Sequence, residues 1–222
     1  MTSPITTEPG APLAPLSTTL RVRTRAEHER AESRPFIAAL MNGELHTGAY
    51  IDLAVQHAAI YRALEAGGHG LRTDPRLGAL VRPELLRTER VEADLTDLVG
   101  PDWRERTSLT GATRRYVDRL DEVAATPTGY LAHAYTRYLG DLSGGQVVRT
   151  MLRRHYGLAP EVLRFYDFEV DKPKPYKDGY REAMDQVTLS SEEYAAVVDE
   201  ATVAFDLNSA VFADLGLRHL AA

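Results

Sequence analysis

From about Leu20 to the C-terminus, apolar residues recur at helical spacing almost without interruption. Tyr50, Ala54, Tyr61 and Leu64 fall on one face at steps close to multiples of 3.6. The clearest stripe is the last, where Tyr194, Val197, Val198, Ala201, Phe205, Val211, Phe212 and Leu215 share one side of a long helix. Ser190 and Glu193 supply a capping-box pattern at its start. Asp74-Pro75 reads as another helix start, with proline at the first helical position. No alternation of period two is convincing, and no Asn-Gly or Asp-Gly pair lies between β-rich runs. Phe165–Lys177 (FYDFEVDKPKPYK) is the expected long irregular connection, because its prolines oppose helix. No repeat of fixed period appears. The pattern predicts one all-α domain of seven or eight helices over residues 17–222, after a Pro-, Thr- and Gly-rich segment 1–16 expected to be disordered.

The stretch Ala134–Thr150 (AYTRYLGDLSGGQVVRT) breaks the pattern it belongs to. Flanked by Tyr130, Leu131, Val147, Val148, Met151 and Leu152, it predicts one long helix. Gly140, Gly144 and Gly145 nevertheless stand in its interior, each costing roughly 1 kcal/mol relative to alanine. Glycines persist against that cost where something approaches the backbone closely. Gly140 and Gly144, four apart, share a face, so a flat ligand lying on bare backbone under a bent helix is one reading. Close contact with another helix is the other. LSGGQ is also the signature peptide of ABC-type ATPases, but those require a Gly-x4-Gly-Lys-Ser/Thr phosphate loop and an α/β core. The chain has no Gly-Lys pair, which excludes that assignment.

Composition removes further classes. A chain of 222 residues suits a single domain with a core and a pocket. The 26 Lys and Arg against 32 Asp and Glu give a formal charge of -6, which disfavours non-specific nucleic-acid binding. No apolar run is long enough to span a membrane. The N-terminus (MTSPITTEPGAPLAPL) lacks the basic and apolar parts of a signal peptide, so a cytoplasmic location is expected. The absence of cysteine excludes disulfides, zinc-thiolate sites, iron–sulfur clusters, thiol nucleophiles and covalent haem attachment.

Any metal is then left to His, carboxylates, Tyr or Met. Of seven histidines, His28 stands out on the stripe Leu20, Thr24, His28, Ala31, Ala39, with Glu32 four residues later on the same face. In such a pair one ring nitrogen can bind a metal while the other hydrogen-bonds the carboxylate, which fixes tautomer and orientation. For every histidine the competing reading is a surface or packed core residue. Helical di-iron sites need Glu-x-x-His, which no histidine here satisfies, and HExxH is absent too.

The run YLGDLSGGQ, Tyr138 to Gln146, with Tyr135 and Arg137 ahead of it, resembles the signature of the haem oxygenase family. LRVRTRAEHERAE in the first helix, AIYRALE at residues 59–65, and the late KDGYR and AFDLN segments extend the likeness over nearly the whole chain after residue 16. The resemblance implies an all-α, single-domain multi-helix fold with haem b sandwiched between a proximal and a Gly-rich distal helix. It implies cleavage of haem by dioxygen and reducing equivalents to biliverdin (the IXα isomer), carbon monoxide and ferrous iron. By the same resemblance His28 matches the axial ligand and Glu32 its hydrogen-bonding neighbour. Gly140 and Gly144 leave backbone close to the iron, and Gly145 joins that contact. Asp141 orders a proton-delivering network, although the pattern alone reads it as a solvated helix residue. Lys177, Arg181 and Tyr135 match the propionate-binding set. Arg21 stands where relatives carry lysine, keeping the charge but changing the geometry. Phe205 is expected to pack the pocket. Asn208, which interrupts the last stripe, reads either as part of the polar network or as a satisfied core asparagine.

Electrons must come from outside, since no dinucleotide fingerprint or flavin site is evident, and this implies a ferredoxin, flavodoxin or flavoprotein reductase. Arg149, Arg153 and Arg154, with Arg114 and Arg115, offer either a docking patch for an acidic donor or ordinary solvated surface. The lack of an apolar C-terminal tail resembles soluble bacterial members, in which haem degradation serves iron acquisition. Two other functions compete: a haem carrier or sensor that kept the pocket without turnover, and a cofactor-free helical interaction protein. The latter leaves the interior glycines unexplained.

Overall fold

A computed structural model describes residues 14–220. The expected disordered segment 1–16 lies outside the described residues as far as residue 13, while Leu16 is buried and already opens the first helix. Among the described residues there are eleven α-helices and no strand. They are α1 (Leu16–Arg23), α2 (Arg25–Glu32), α3 (Pro35–Asn42), α4 (Thr47–His69), α5 (Thr88–Val99) and α6 (Trp103–Arg106), then α7 (Gly111–Val123), α8 (Pro127–Gly140), α9 (Gln146–Tyr156), α10 (Pro173–Asp185) and α11 (Ser191–His219).

The helices outnumber the seven or eight expected because short breaks interrupt continuous periodicity. Thr24 separates α1 from α2: its Oγ1 donates to the Leu20 carbonyl at 2.7 Å, a back-bond that bends helices. The backbone ladder still runs through the bend, from Thr24 N to Leu20 O and from His28 N to Thr24 O, both 2.9 Å. The start expected at Asp74-Pro75 is a turn instead. The Asp74 carboxylate accepts from the amides of Arg76 at 2.7 Å and Leu77 at 3.1 Å, and only a short 3-10 segment, Gly78–Leu80, follows. The predicted cap of α11 forms, with Ser190 Oγ accepting from Glu193 N and the Glu193 carboxylate accepting from Ser190 N.

The irregular connection is shorter than Phe165–Lys177. Arg164–Tyr166 forms a 3-10 turn, and α10 already starts at Pro173. Its two prolines fall in the first helical turn, where a missing N–H costs nothing. Two buried side chains from elsewhere fasten this connection. Asp94 accepts from the amides of Arg164 at 3.0 Å and Phe165 at 2.8 Å. Arg87, with no exposure at all, donates to the carbonyls of Glu84, Leu85, Phe165 and Asp167.

Helix α11 packs along α8 and α7 and also carries α2 and α3, while α4 lies against α5, α7 and α8. One long helix therefore backs both α2 and α8. Behind α8 the fully buried His133 ring meets Glu200 of α11 at 2.9 Å, and Arg119 of α7 donates to both oxygens of that carboxylate. Burial pushes the Glu200 carboxyl up, but hydrogen bonds from His133 and Arg119 outweigh it and hold the group at about 2. The stretch Ala134–Thr150 is helical from end to end as expected, except that Asp141–Gly145 winds as one π turn between α8 and α9. A π turn widens the helix locally and breaks its register, which lets the axis bend there.

Candidate functional site

The site is a cavity of about 420 Å³ between α2, α4, α11 and the π turn. Helix α2 contributes His28, Ala31 and Glu32 to one wall. The Nδ1 of His28 lies 3.3 Å from Glu32 Oε2, as the i,i+4 spacing predicts, so Nε2 is the nitrogen left for a ligand. Phe205 of α11 meets the His28 ring edge-on at 5.6 Å and fixes its tilt. Asn208 and Phe212 continue the same wall.

Gly140, Asp141, Ser143 and Gly144 form another wall. A Cβ built on Gly140 or Gly144 meets nothing within 4 Å, so both bare faces look into open space. Gly145 differs: its Cβ would stand 3.1 Å from Tyr166 Cδ1 and 3.4 Å from Asp141 Cβ. It lines the cavity, yet its missing side chain is what lets Tyr166 pack against the turn.

Asp141 accepts a hydrogen bond from the Tyr61 hydroxyl of α4. Burial pushes its carboxyl above the usual range, and the charge of Arg137 together with the Tyr61 bond pulls it back only in part. Arg137, one turn earlier on α8, is 5% exposed. Its Nη1 donates to Asn208 Oδ1 at 2.6 Å, and its guanidinium lies over the Tyr61 ring at 4.9 Å. Asn208 thus accepts a hydrogen bond from Arg137, a contact that both of its readings allow. Tyr61 and Arg137 are the functional residues that sequence reasoning missed. Both belong to family-like motifs, AIYRALE and the approach to YLGDLSGGQ, but Tyr61 reads there as part of an apolar stripe.

The four expected propionate residues stand outside the cavity lining. Lys177 touches it through Ser143, with Nζ 2.7 Å from Oγ. Burial and then neighbouring Arg181 lower the Lys177 ammonium, so the two cations are close together. Tyr135 is raised by burial, while Arg181, Thr24 and Arg21 pull it the other way. The charges of Arg21 and Arg181 thus both reach Tyr135, that of Arg181 reaches Lys177, and Lys177 stands at the cavity edge through Ser143. Of the candidate docking arginines, Arg153, Arg154, Arg114 and Arg115 are exposed, whereas Arg149 is partly buried and lies 3.5 Å from Asp167.

Among the described residues no group of three His, Asp or Glu side chains could hold a bare metal ion. One ring nitrogen on one wall, bare backbone on another and cations at the edge suit a flat, apolar, anionic molecule that brings its own metal.

A family model described as "Heme oxygenase" matches residues 14–214. The chain is 35% identical to "Heme oxygenase 1" of Synechocystis sp. over 90% of its own length and 84% of the relative's. It is 36% identical to "Heme oxygenase" of Porphyra purpurea over 90% of its length and 86% of the relative's. The crystal structure of the Synechocystis heme oxygenase-1 in complex with heme superposes with a TM-score of 0.86 at 33% identity, covering 92% of this chain and 94% of that one.

Proposed function

The chain belongs to the haem oxygenase family and degrades haem oxidatively, and we propose that it does so with His28 as axial ligand and Asp141 as the group that governs proton supply. Haem b is substrate and prosthetic group together, and the products are biliverdin, carbon monoxide and ferrous iron. Bound haem supplies the iron that activates dioxygen and the ring that is opened. The remaining work belongs to the chain.

The observation that carries the site assignment is the pair of bare glycine faces, Gly140 and Gly144, on the same cavity as the His28–Glu32 pair. Any side chain at either glycine would enter the space a flat ring needs. Glu32 Oε2 stands 3.3 Å from His28 Nδ1, a position that favours the tautomer with its proton on Nδ1 and leaves Nε2 for the iron. Phe205 limits the ring's rotation. Asp141 is held beside the cavity by Tyr61, with burial raising its carboxyl above the usual carboxylate range. A carboxyl poised in this way passes protons in either direction more readily than an ordinary aspartate. Arg137 keeps the carboxylate form accessible by its charge.

Lys177, Arg181, Arg21 and Tyr135 give two carboxylates at the ring edge a place to end. That anchoring sets the rotation of the ring, and opening at the α carbon is the outcome we assign. Electrons arrive from a ferredoxin, flavodoxin or flavoprotein reductase. No helix among the described residues is long and apolar enough to cross a membrane, and a cytoplasmic site of action suits donors of this kind.

The test is to add hemin and a reductant to the protein in air, follow the haem spectrum and identify the pigment by chromatography. Biliverdin IXα with chelatable ferrous iron is the expected result. A lasting haem complex with no ring opening overturns catalysis and leaves a carrier or sensor.

A further inference from the structure

Lys177 and Asp178 are neighbours on α10, yet the ion pairs of that helix leave Lys177 out. Asp178 meets Lys174 at 3.7 Å and Arg181 at 3.0 Å. Among the described residues Lys177 meets no carboxylate, and its hydrogen-bond partner is the Ser143 hydroxyl, 2.7 Å away on the π turn. Arg181 is thus part-neutralised, whereas Lys177 keeps its whole charge at the cavity edge.

Ser143 is arranged to receive that ammonium. Its Oγ donates to the Leu139 carbonyl one turn earlier at 2.9 Å, which commits the hydroxyl hydrogen and leaves the lone pairs for Lys177. The long lysine stem samples many rotamers, and ordering it opposes binding. Ser143 orders the stem before any ligand arrives. An ammonium has three donors, so those not used on Ser143 remain for an incoming carboxylate. The tether also supplies a reference point. Lys177 belongs to α10, but the hydroxyl that holds it lines the cavity on the same turn as Gly144, next to Gly140. A carboxylate that ends on Lys177 is therefore registered against the bare glycine wall, and not against α10 alone.

From this geometry we propose that Ser143 is a positioning residue: by holding the Lys177 ammonium against the π turn it fixes where one haem propionate ends, and with it the rotation of the ring over Gly140 and Gly144. The inference rests on the propionate reading of Lys177 and adds to it the residue that aims the cation. Hemin is added to wild type, Ser143→Ala, Ser143→Thr, Lys177→Ala and the double alanine variant. Affinity is read by absorbance titration. Ring seating is read from the haem methyl signals in the proton NMR spectrum of each cyanide complex. Alanine removes the hydroxyl from an exposed side chain, and threonine keeps it.

Losing one hydrogen bond is expected to raise the population of alternative seatings about tenfold in Ser143→Ala, seen as methyl signals absent from wild type, while hemin affinity falls no more than about threefold. Threonine is expected to keep the wild-type pattern. Without Lys177, the alanine change at Ser143 is expected to add nothing. A wild-type methyl pattern in Ser143→Ala overturns the proposal. So does an equal change with and without Lys177, or an equal change in the threonine and alanine variants, either of which assigns Ser143 to the shape of the π turn alone. If Lys177→Ala leaves both affinity and methyl pattern as in wild type, the propionate reading of Lys177 fails, and the role of Ser143 with it. Failure of the wild type to bind hemin overturns the haem reading itself.

Discussion

His28 and Glu32 stand on α2 with side chains 48% and 64% exposed, on a helix whose one buried residue is Ala31. Across the cavity, Arg137 is almost wholly enclosed and Asp141 is bonded to Tyr61, 80 residues earlier in the chain. The α2 wall is local: one turn of helix brings the proposed ligand and its neighbouring carboxylate together, and water solvates the rest. The π-turn wall is tertiary, because no partner in the Asp141–Tyr61 and Arg137–Asn208 contacts is a sequence neighbour. Holding a metal needs one nitrogen with a fixed tautomer, which an exposed helix can provide. The Asp141 carboxyl is moved above its ordinary value, and burial among several elements is the largest cause.

The largest expected effects test that division directly. His28→Ala removes the proposed iron ligand, and biliverdin formation should fall roughly 100-fold or more with the histidine-ligated haem spectrum lost. Persistence of that spectrum would move the metal to another residue. Asp141→Asn should separate the walls: hemin affinity and spectrum stay as in wild type, while the yield of biliverdin drops roughly 100-fold. Equal loss of hemin binding in the two variants would mean that the walls do not act independently.

A smaller effect concerns the support behind the tertiary wall. Glu200 is held at about 2, below its ordinary 4.5, so its contribution to stability is fully present above about 4.5 and is lost as pH falls from there towards 2. Glu200→Gln should therefore cost about 2–3 kcal/mol in urea melts at pH 7 and little at pH 2. A pH-independent loss would show that packing, not the His133–Glu200–Arg119 charges, is responsible.

The smallest effects distinguish the glycines. Gly144→Ala should stabilise the haem-free protein by about 0.5–1 kcal/mol, since alanine favours helix and its Cβ meets nothing. Gly145→Ala should destabilise it by about 1 kcal/mol, because its Cβ crowds Tyr166. Thermal melts of both variants without hemin give the comparison. Matching shifts would mean that the two glycines share one role.

Much of the α2 wall is legible in the amino-acid sequence. The His28–Glu32 pairing follows from i,i+4 spacing, the Ser190 cap from a three-residue pattern, and the bare faces of Gly140 and Gly144 from their conflict with helix propensity. The family resemblance adds the placement of haem between two helices and the basic set Arg21, Lys177 and Arg181. Tyr61 is hidden because, on a buried helix, a residue with a polar tip follows the same periodicity as one that only packs. Arg87 and Asp94, which fasten the connection carrying Phe165 and Tyr166, are silent for the same reason.

Periodicity names the face a residue occupies, whereas its partner depends on which helix arrives there. Local pattern suffices for the helices, the ligand pair and the glycine faces, since each depends on residues within about two turns of one another. Only the packing of α4, α8 and α11 with the 3-10 turn at Tyr166 makes Tyr61 meet Asp141, joins Arg137 to Asn208, and commits Gly145 to Tyr166. The energies behind those outcomes arise from burial among distant segments, which no local pattern encodes.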